Sequence, residues 1–79
     1  MSADQKETLP PAPIERAVVI GDGSWGTSIA QLLARRGIAT TLWSPFLEQT
    51  EAMRAAQENK KFLPGVRLHE NVTFSADPL

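Results

Sequence analysis

Apolar and polar positions change their period twice between Ala17 and Trp43. Ala17-Val18-Val19-Ile20 is an unbroken apolar run with β-branched members and no polar alternation. That pattern suits a strand buried on both faces of a parallel sheet. The run leads into Gly21-Asp22-Gly23-Ser24-Trp25-Gly26, and apolar residues then recur near every fourth position: Trp25, Ile29, Leu32 or Leu33. This spacing predicts an amphipathic helix from about Ser24 to Arg36. Gly37 follows as a C-cap glycine, and Arg35 and Arg36 read as a solvated last turn at the negative end of the helix dipole. Ile38 to Trp43 (IATTLW) is β-branched and mostly apolar, and reads as a second strand. A helix of about thirteen residues between the strands suits a right-handed crossover.

Ser44-Pro45 has the form of a helix start, serine as N-cap and proline at the first helical position. Phe46, Thr50, Met53 and Ala56 then share one helical face. Glu51 with Arg54, and Arg54 with Glu58, stand at pairing distance on the other face. The helix is expected to fade near Asn59, because Pro64-Gly65 cannot continue it. Asn59 to Gly65 is therefore a loop, with Lys60 and Lys61 as solvated charges. Val66 to Glu70 is a short link, and the alternating Asn71 to Ser75 (NVTFS) a third strand.

The element order β-α-β-α-β predicts an α/β fold, the first mononucleotide-binding half of a Rossmann-type sheet with strands ordered 3-2-1. The strand of Val18 to Ile20 then stands at an edge, with unpaired backbone groups and one poorly covered face. Such an edge implies either a piece of a larger domain or a second copy completing the sheet across a dimer axis.

Composition narrows the functions open to such a chain. Its 79 residues are half an average domain or less. Met1 to Glu15 is polar, with Pro10, Pro11 and Pro13 close together, and reads as a flexible leader; the domain proper is residues 16–79. Cysteine is absent and His69 is the one histidine, so neither a disulfide nor a metal site is expected. His69 reads as a surface residue. The formal charge is −1, which gives no reason to expect nucleic acid as a partner. No apolar run approaches the ~20 residues a membrane-spanning helix needs, and a cytoplasmic protein is expected.

The glycine turn carries the chemistry. Gly21 lets the chain reverse sharply out of the strand. Gly23 presents bare backbone to a diphosphate, and Gly26 lets the helix pack closely on the strand. The first helical N–H groups lack intrahelical partners and lie at the positive end of the dipole, so an anionic diphosphate suits them. Strand, turn and helix in this order make the G-x-G-x-x-G spacing a dinucleotide-binding signature. No proton donor or substrate site for hydride transfer stands beside it.

These blocks resemble the NAD(P)-dependent glycerol-3-phosphate dehydrogenases, most of all the bacterial ones. The resemblance rests on G-x-G-S-W-G-T at Gly21 to Thr27, on Leu42-Trp43 closing the second strand, and on N-x-x-F-L-P-G from Asn59 to Gly65. It covers residues 16–79. It implies an enzyme that interconverts glycerone phosphate and sn-glycerol 3-phosphate with NAD or NADP, feeding phospholipid synthesis. It also implies an N-terminal Rossmann domain and a mainly helical substrate domain, with catalytic lysines beyond Leu79. The small phosphorylated substrate is then a partner of the full-length parent only, and this chain alone is expected to be inactive.

The resemblance places cofactor contacts on Gly21, Asp22, Gly23, Ser24, Trp25 and Gly26, with Ser44 and Pro45 at the end of the second strand. Ser24 would offer its backbone N–H, and its hydroxyl as a second donor, to the diphosphate. Trp25 would either wall the same crevice or belong to the core. Bacterial members often carry arginine or histidine at the position of Pro45, where it meets the 2′-phosphate of NADP. Pro45 cannot do so. No Asp or Glu ends the strand either, as NAD binders usually require. Two other readings stand beside this one. A dehydrogenase with a related first half but another substrate lacks the Phe-Leu-Pro loop, whereas a non-catalytic nucleotide-binding or interaction module needs no catalytic group.

Overall fold

The computed structural model describes residues 14–78, and the leader expected over residues 1–15 lies outside them except for Ile14 and Glu15. Five elements follow in the order β1 (Arg16–Ile20), α1 (Ser24–Arg35), β2 (Ala39–Trp43), α2 (Leu47–Ala56) and β3 (Val72–Ser75). The three strands are parallel and lie in the order β1-β2-β3, the expected half of a doubly wound sheet. In register, Ile20 pairs with Trp43 and Trp43 with Ser75, so the C-terminal ends of all three strands come level.

Alternation along the strands divides the sheet into two faces. Thr40, Leu42, Val72 and Phe74 are buried, and Leu42, Val72 and Phe74 make the core with Ala30, Ala34, Met53 and Leu68. Val19 and Val66 pack against its margin. The other face carries Val18 and Ile20, 55% and 66% exposed. The apolar run of β1 suits a strand covered on both sides, yet both crossovers place their helices on the same face. Among the described residues one side of β1 is therefore bare and β1 is an edge strand, in agreement with the expected open edge.

Three local expectations are corrected. First, α1 does not bury the stripe of Trp25, Ile29 and Leu32 or Leu33, of which Ile29 and Leu33 are only half-buried. Its buried residues are Thr27, Ala30 and Ala34, while Trp25 is 81% exposed and Leu32 is exposed. Small side chains let this helix lie close to the sheet, and the large ones are displaced to its flanks.

Second, α2 begins at Leu47 rather than at Ser44-Pro45, with Phe46 at the N-cap position. Ser44 Oγ accepts the Phe46 N–H at 3.2 Å, a local turn that postpones the helix. The Ser44 N–H is meanwhile given to the Ser75 carbonyl, as though β2 continued by one residue. Phe46 is exposed and does not join Thr50 and Met53 on the buried face.

Third, α2 stops at Ala56, because Gln57 adopts a left-handed conformation at φ 52°. The Gln57 amide donates to the carbonyls of His69 and Val72, stitching the helix end to the start of β3. Arg54 does pair with Glu51 at 3.0 Å, but Glu58 accepts the Gly65 N–H instead of meeting Arg54.

Candidate functional site

The site begins where β1 bends into α1. Gly21 has φ +109°, a conformation only glycine adopts readily, and its N–H donates to the Trp43 carbonyl at 2.8 Å. That bond ties the bend to the end of β2. Gly26 lies hard against the same bend: a Cβ there would stand 2.5 Å from the Gly21 carbonyl oxygen and 3.4 Å from Val19 Cγ1.

Gly23 differs from both. Its backbone angles, φ −66° and ψ 176°, are open to any residue, and a Cβ placed on it would meet nothing within 4 Å. A glycine that neither the backbone nor the packing requires leaves bare peptide facing open space. α1 starts at the next residue, so the partnerless first-turn amides and the positive end of the dipole converge on that space. No acidic side chain lies in the first turn to neutralise them. The donor set and the room before it fit a diphosphate.

The other expected site residues fall at the same end of the sheet. Ser24 and Trp25 are exposed at the helix start, with Trp25 outside the core. Asp22 is buried, only 8% exposed, and its Oδ2 has no hydrogen-bond partner among the described residues. Pro45 is exposed just beyond β2. Ser44 is wholly buried, its hydroxyl accepting the Phe46 N–H.

Sequence reasoning overlooked the residue that holds the turn. Asn59 is 0% exposed, and its amide is used on both sides. Nδ2 donates to the Asp22 carbonyl at 2.6 Å and to Thr27 Oγ1 at 2.8 Å. Oδ1 accepts from Gln49 Nε2 at 2.9 Å and from the Phe62 N–H at 3.2 Å. Thr27 Oγ1 in turn lies 2.8 Å from the Gly23 carbonyl, to which it donates. In the sequence Asn59 and Thr27 are only an asparagine opening N-x-x-F-L-P-G and a threonine closing G-x-G-S-W-G-T, with nothing local to say that they meet.

Lys60 and Lys61 are exposed, and Lys61 Nζ stands 5.1 Å above the ring of Phe62. His69 is half-buried in a depression of about 490 Å³, which Gln31, Arg35, Gln57 and Arg67 also line. This depression lies beside the C-terminal half of α1 and the link before β3, at the opposite end of the strands from the glycine turn. His69 Nδ1 is occupied by the Asn71 N–H at 3.0 Å. No helix among the described residues is long and apolar enough to cross a membrane.

Comparison with known proteins bears on the same residues. A family model described as the N-terminus of NAD-dependent glycerol-3-phosphate dehydrogenase matches residues 16–79. A glycerol-3-phosphate dehydrogenase (NAD(P)+) from Geobacter sulfurreducens is 51% identical over 61 residues, which are 77% of this chain and 18% of that protein. One from Geobacter sp. strain M21 is 48% identical over 63 residues, 80% of this chain and 19% of that protein. In three dimensions, the crystal structure of glycerol-3-phosphate dehydrogenase from Coxiella burnetii superposes with a TM-score of 0.77 at 33% identity. The match covers 81% of this chain and 20% of that one. The chain thus spans about a fifth of the length of the relatives it matches.

Proposed function

The chain belongs to the NAD-dependent glycerol-3-phosphate dehydrogenase family, as part of its N-terminal region, and from that premise we propose that residues 16–79 bind the adenosine side of NAD or NADP. The diphosphate lies against the bare peptide at Gly23, on the first-turn amides of Ser24, Trp25 and Gly26, with Trp25 as a wall. Gly21 and Gly26 shape the bend, and Asp22 supports it from beneath, its carbonyl held by the buried Asn59 amide. Ser44 and Pro45 stand at the ribose end. The open space before Gly23 is the observation that carries this reading.

When bound, the cofactor's nicotinamide supplies or accepts the hydride. What these residues do is bind and orient the other half of the cofactor. In the whole protein the proposed reaction is the interconversion of glycerone phosphate and sn-glycerol 3-phosphate, in the cytoplasm, as a source of phospholipid precursor. The phosphorylated substrate and the proton-transfer groups belong to the part of the parent outside this chain, so the chain by itself binds cofactor without turnover. No cationic side chain stands at positions 44 and 45, which favours NAD over NADP. The bare edge of β1 suits the continuing sheet of the parent or, for the chain alone, a second copy.

Calorimetric titration of the chain with NADH and NADPH tests the reading. Saturable binding at a one-to-one ratio, tighter for NADH, is expected. Absence of saturable heat with both cofactors sinks it. A parallel assay of glycerone phosphate reduction should give no turnover, and turnover by the chain alone would overturn that part.

A further inference from the structure

The cofactor turn does not hold itself. Among the described residues, the side chain that donates to the Asp22 carbonyl is Asn59, its Nδ2 at 2.6 Å. The Thr27 hydroxyl lies 3.2 Å from the same oxygen but gives its one hydrogen to the nearer Gly23 carbonyl, 2.8 Å away. Asn59 is remote in sequence, beyond α2, at the head of the loop that runs to Gly65. Its own orientation is fixed from outside the turn. The Phe62 N–H can only donate and the Asp22 carbonyl can only accept, so the amide has one way to lie. Gln49, from α2, adds a second donor to the oxygen side.

A planar trans peptide translates this grip into a direction. The carbonyl of residue 22 and the N–H of Gly23 belong to one peptide unit and point opposite ways. Drawing the Asp22 carbonyl toward the buried Asn59 amide turns the Gly23 N–H away from the cluster of Asn59 and Thr27. We propose that Asn59 is a positioning residue for the cofactor: through the Asp22–Gly23 peptide it aims the Gly23 N–H at the diphosphate. It thereby couples the Asn59–Gly65 loop and α2 to cofactor affinity. The proposal rests on the cofactor reading given above. It adds that part of the affinity resides in a residue that does not touch the ligand.

Asn59→Asp keeps the size and the oxygen that meets Phe62, but sets a second oxygen against the Asp22 carbonyl and removes the donor. The peptide is then free to turn. NMR titration of the whole chain with ADP and, separately, with adenosine distinguishes aiming from general loosening. ADP needs the diphosphate site, and adenosine does not. The expected result is ADP affinity weaker by about tenfold or more, with adenosine affinity unchanged and the Gly23 amide resonance displaced. ADP bound by the variant as by the wild type overturns the proposal, and so does an equal loss for both ligands.

Should Asn59→Asp fail to fold, Gln49→Ala carries the test from the surface of α2. It removes one of the two donors to Asn59 Oδ1, and should weaken ADP about threefold while sparing adenosine. Unchanged ADP affinity there overturns the proposal as well. Failure of the cofactor reading looks different: the wild-type chain itself then binds neither ADP nor NADH, and the aiming role falls with it.

Discussion

Gly26 rests directly on the backbone of Gly21, so closely that a single methyl group on Gly26 would enter the Gly21 carbonyl oxygen at 2.5 Å. The contact joins the first turn of α1 to the end of β1, and nothing flexible lies between them to give way. Gly26→Ala must push the helix off the strand or bend the turn. Overpacking of this kind costs about 1–3 kcal/mol. For a domain of this size that is a fall of roughly 5 °C or more in Tm, readable by thermal denaturation followed by circular dichroism. A variant that melts with the wild type would mean that the packing seen here is looser in solution.

Gly23 makes the opposite prediction. Its φ of −66° tolerates a side chain, and the space a Cβ would enter is empty. Gly23→Val should lower Tm by no more than about 4 °C, since substitutions away from strained or packed positions stay within about 0.5 kcal/mol. NADH binding should be lost to calorimetry, because the isopropyl group occupies the approach of the diphosphate. Unchanged affinity in a folded variant removes the site. The two glycines thus separate the needs of the fold from those of the ligand, three residues apart.

What the sequence revealed, and what it hid, follows the same division. The glycine spacing and the three strands are visible in the residue pattern, since each depends on which residues the backbone will accept locally, and the strand order follows from the β-α-β-α-β succession. The start of α2 was hidden because Ser44-Pro45 carries a legitimate helix signal that a side-chain bond from Ser44 to the Phe46 N–H overrides. The buried stripe of α1 was hidden because periodicity favours large apolar residues. Close packing on a sheet instead selects Thr27, Ala30 and Ala34. Asn59 was hidden for the plainest reason: its partners Asp22 and Thr27 lie 37 and 32 residues away. No local pattern records a long-range hydrogen bond.

The bare face of β1 has consequences for the chain in solution. Val18 and Ile20 point to the same side, more than half exposed, beside a strand edge that no other strand among the described residues pairs with. An edge of this kind is a template for another strand. Sedimentation of the isolated chain should show concentration-dependent self-association. Val18→Thr with Ile20→Thr should reduce it, at little cost to stability, since neither residue belongs to the core. Association undiminished in the double variant would place the contact elsewhere.

Cofactor preference turns on the surface just past β2. Pro45 is exposed there, beside a Ser44 hydroxyl that is buried and already engaged, so neither residue offers charge to a phosphate on the ribose. Pro45→Arg would place a guanidinium at the ribose end without disturbing the core or the glycine turn. Arginine suits a phosphate through paired, charge-assisted hydrogen bonds. Such bonds are worth about 1.5–3 kcal/mol, so NADPH affinity should rise by roughly tenfold or more while NADH affinity moves little. Raising the salt concentration should erode the gain, since the new contact lies in solvent. If NADH and NADPH respond alike to the substitution, the adenosine ribose does not lie at the end of β2, and the placement of the cofactor across this edge would have to be redrawn.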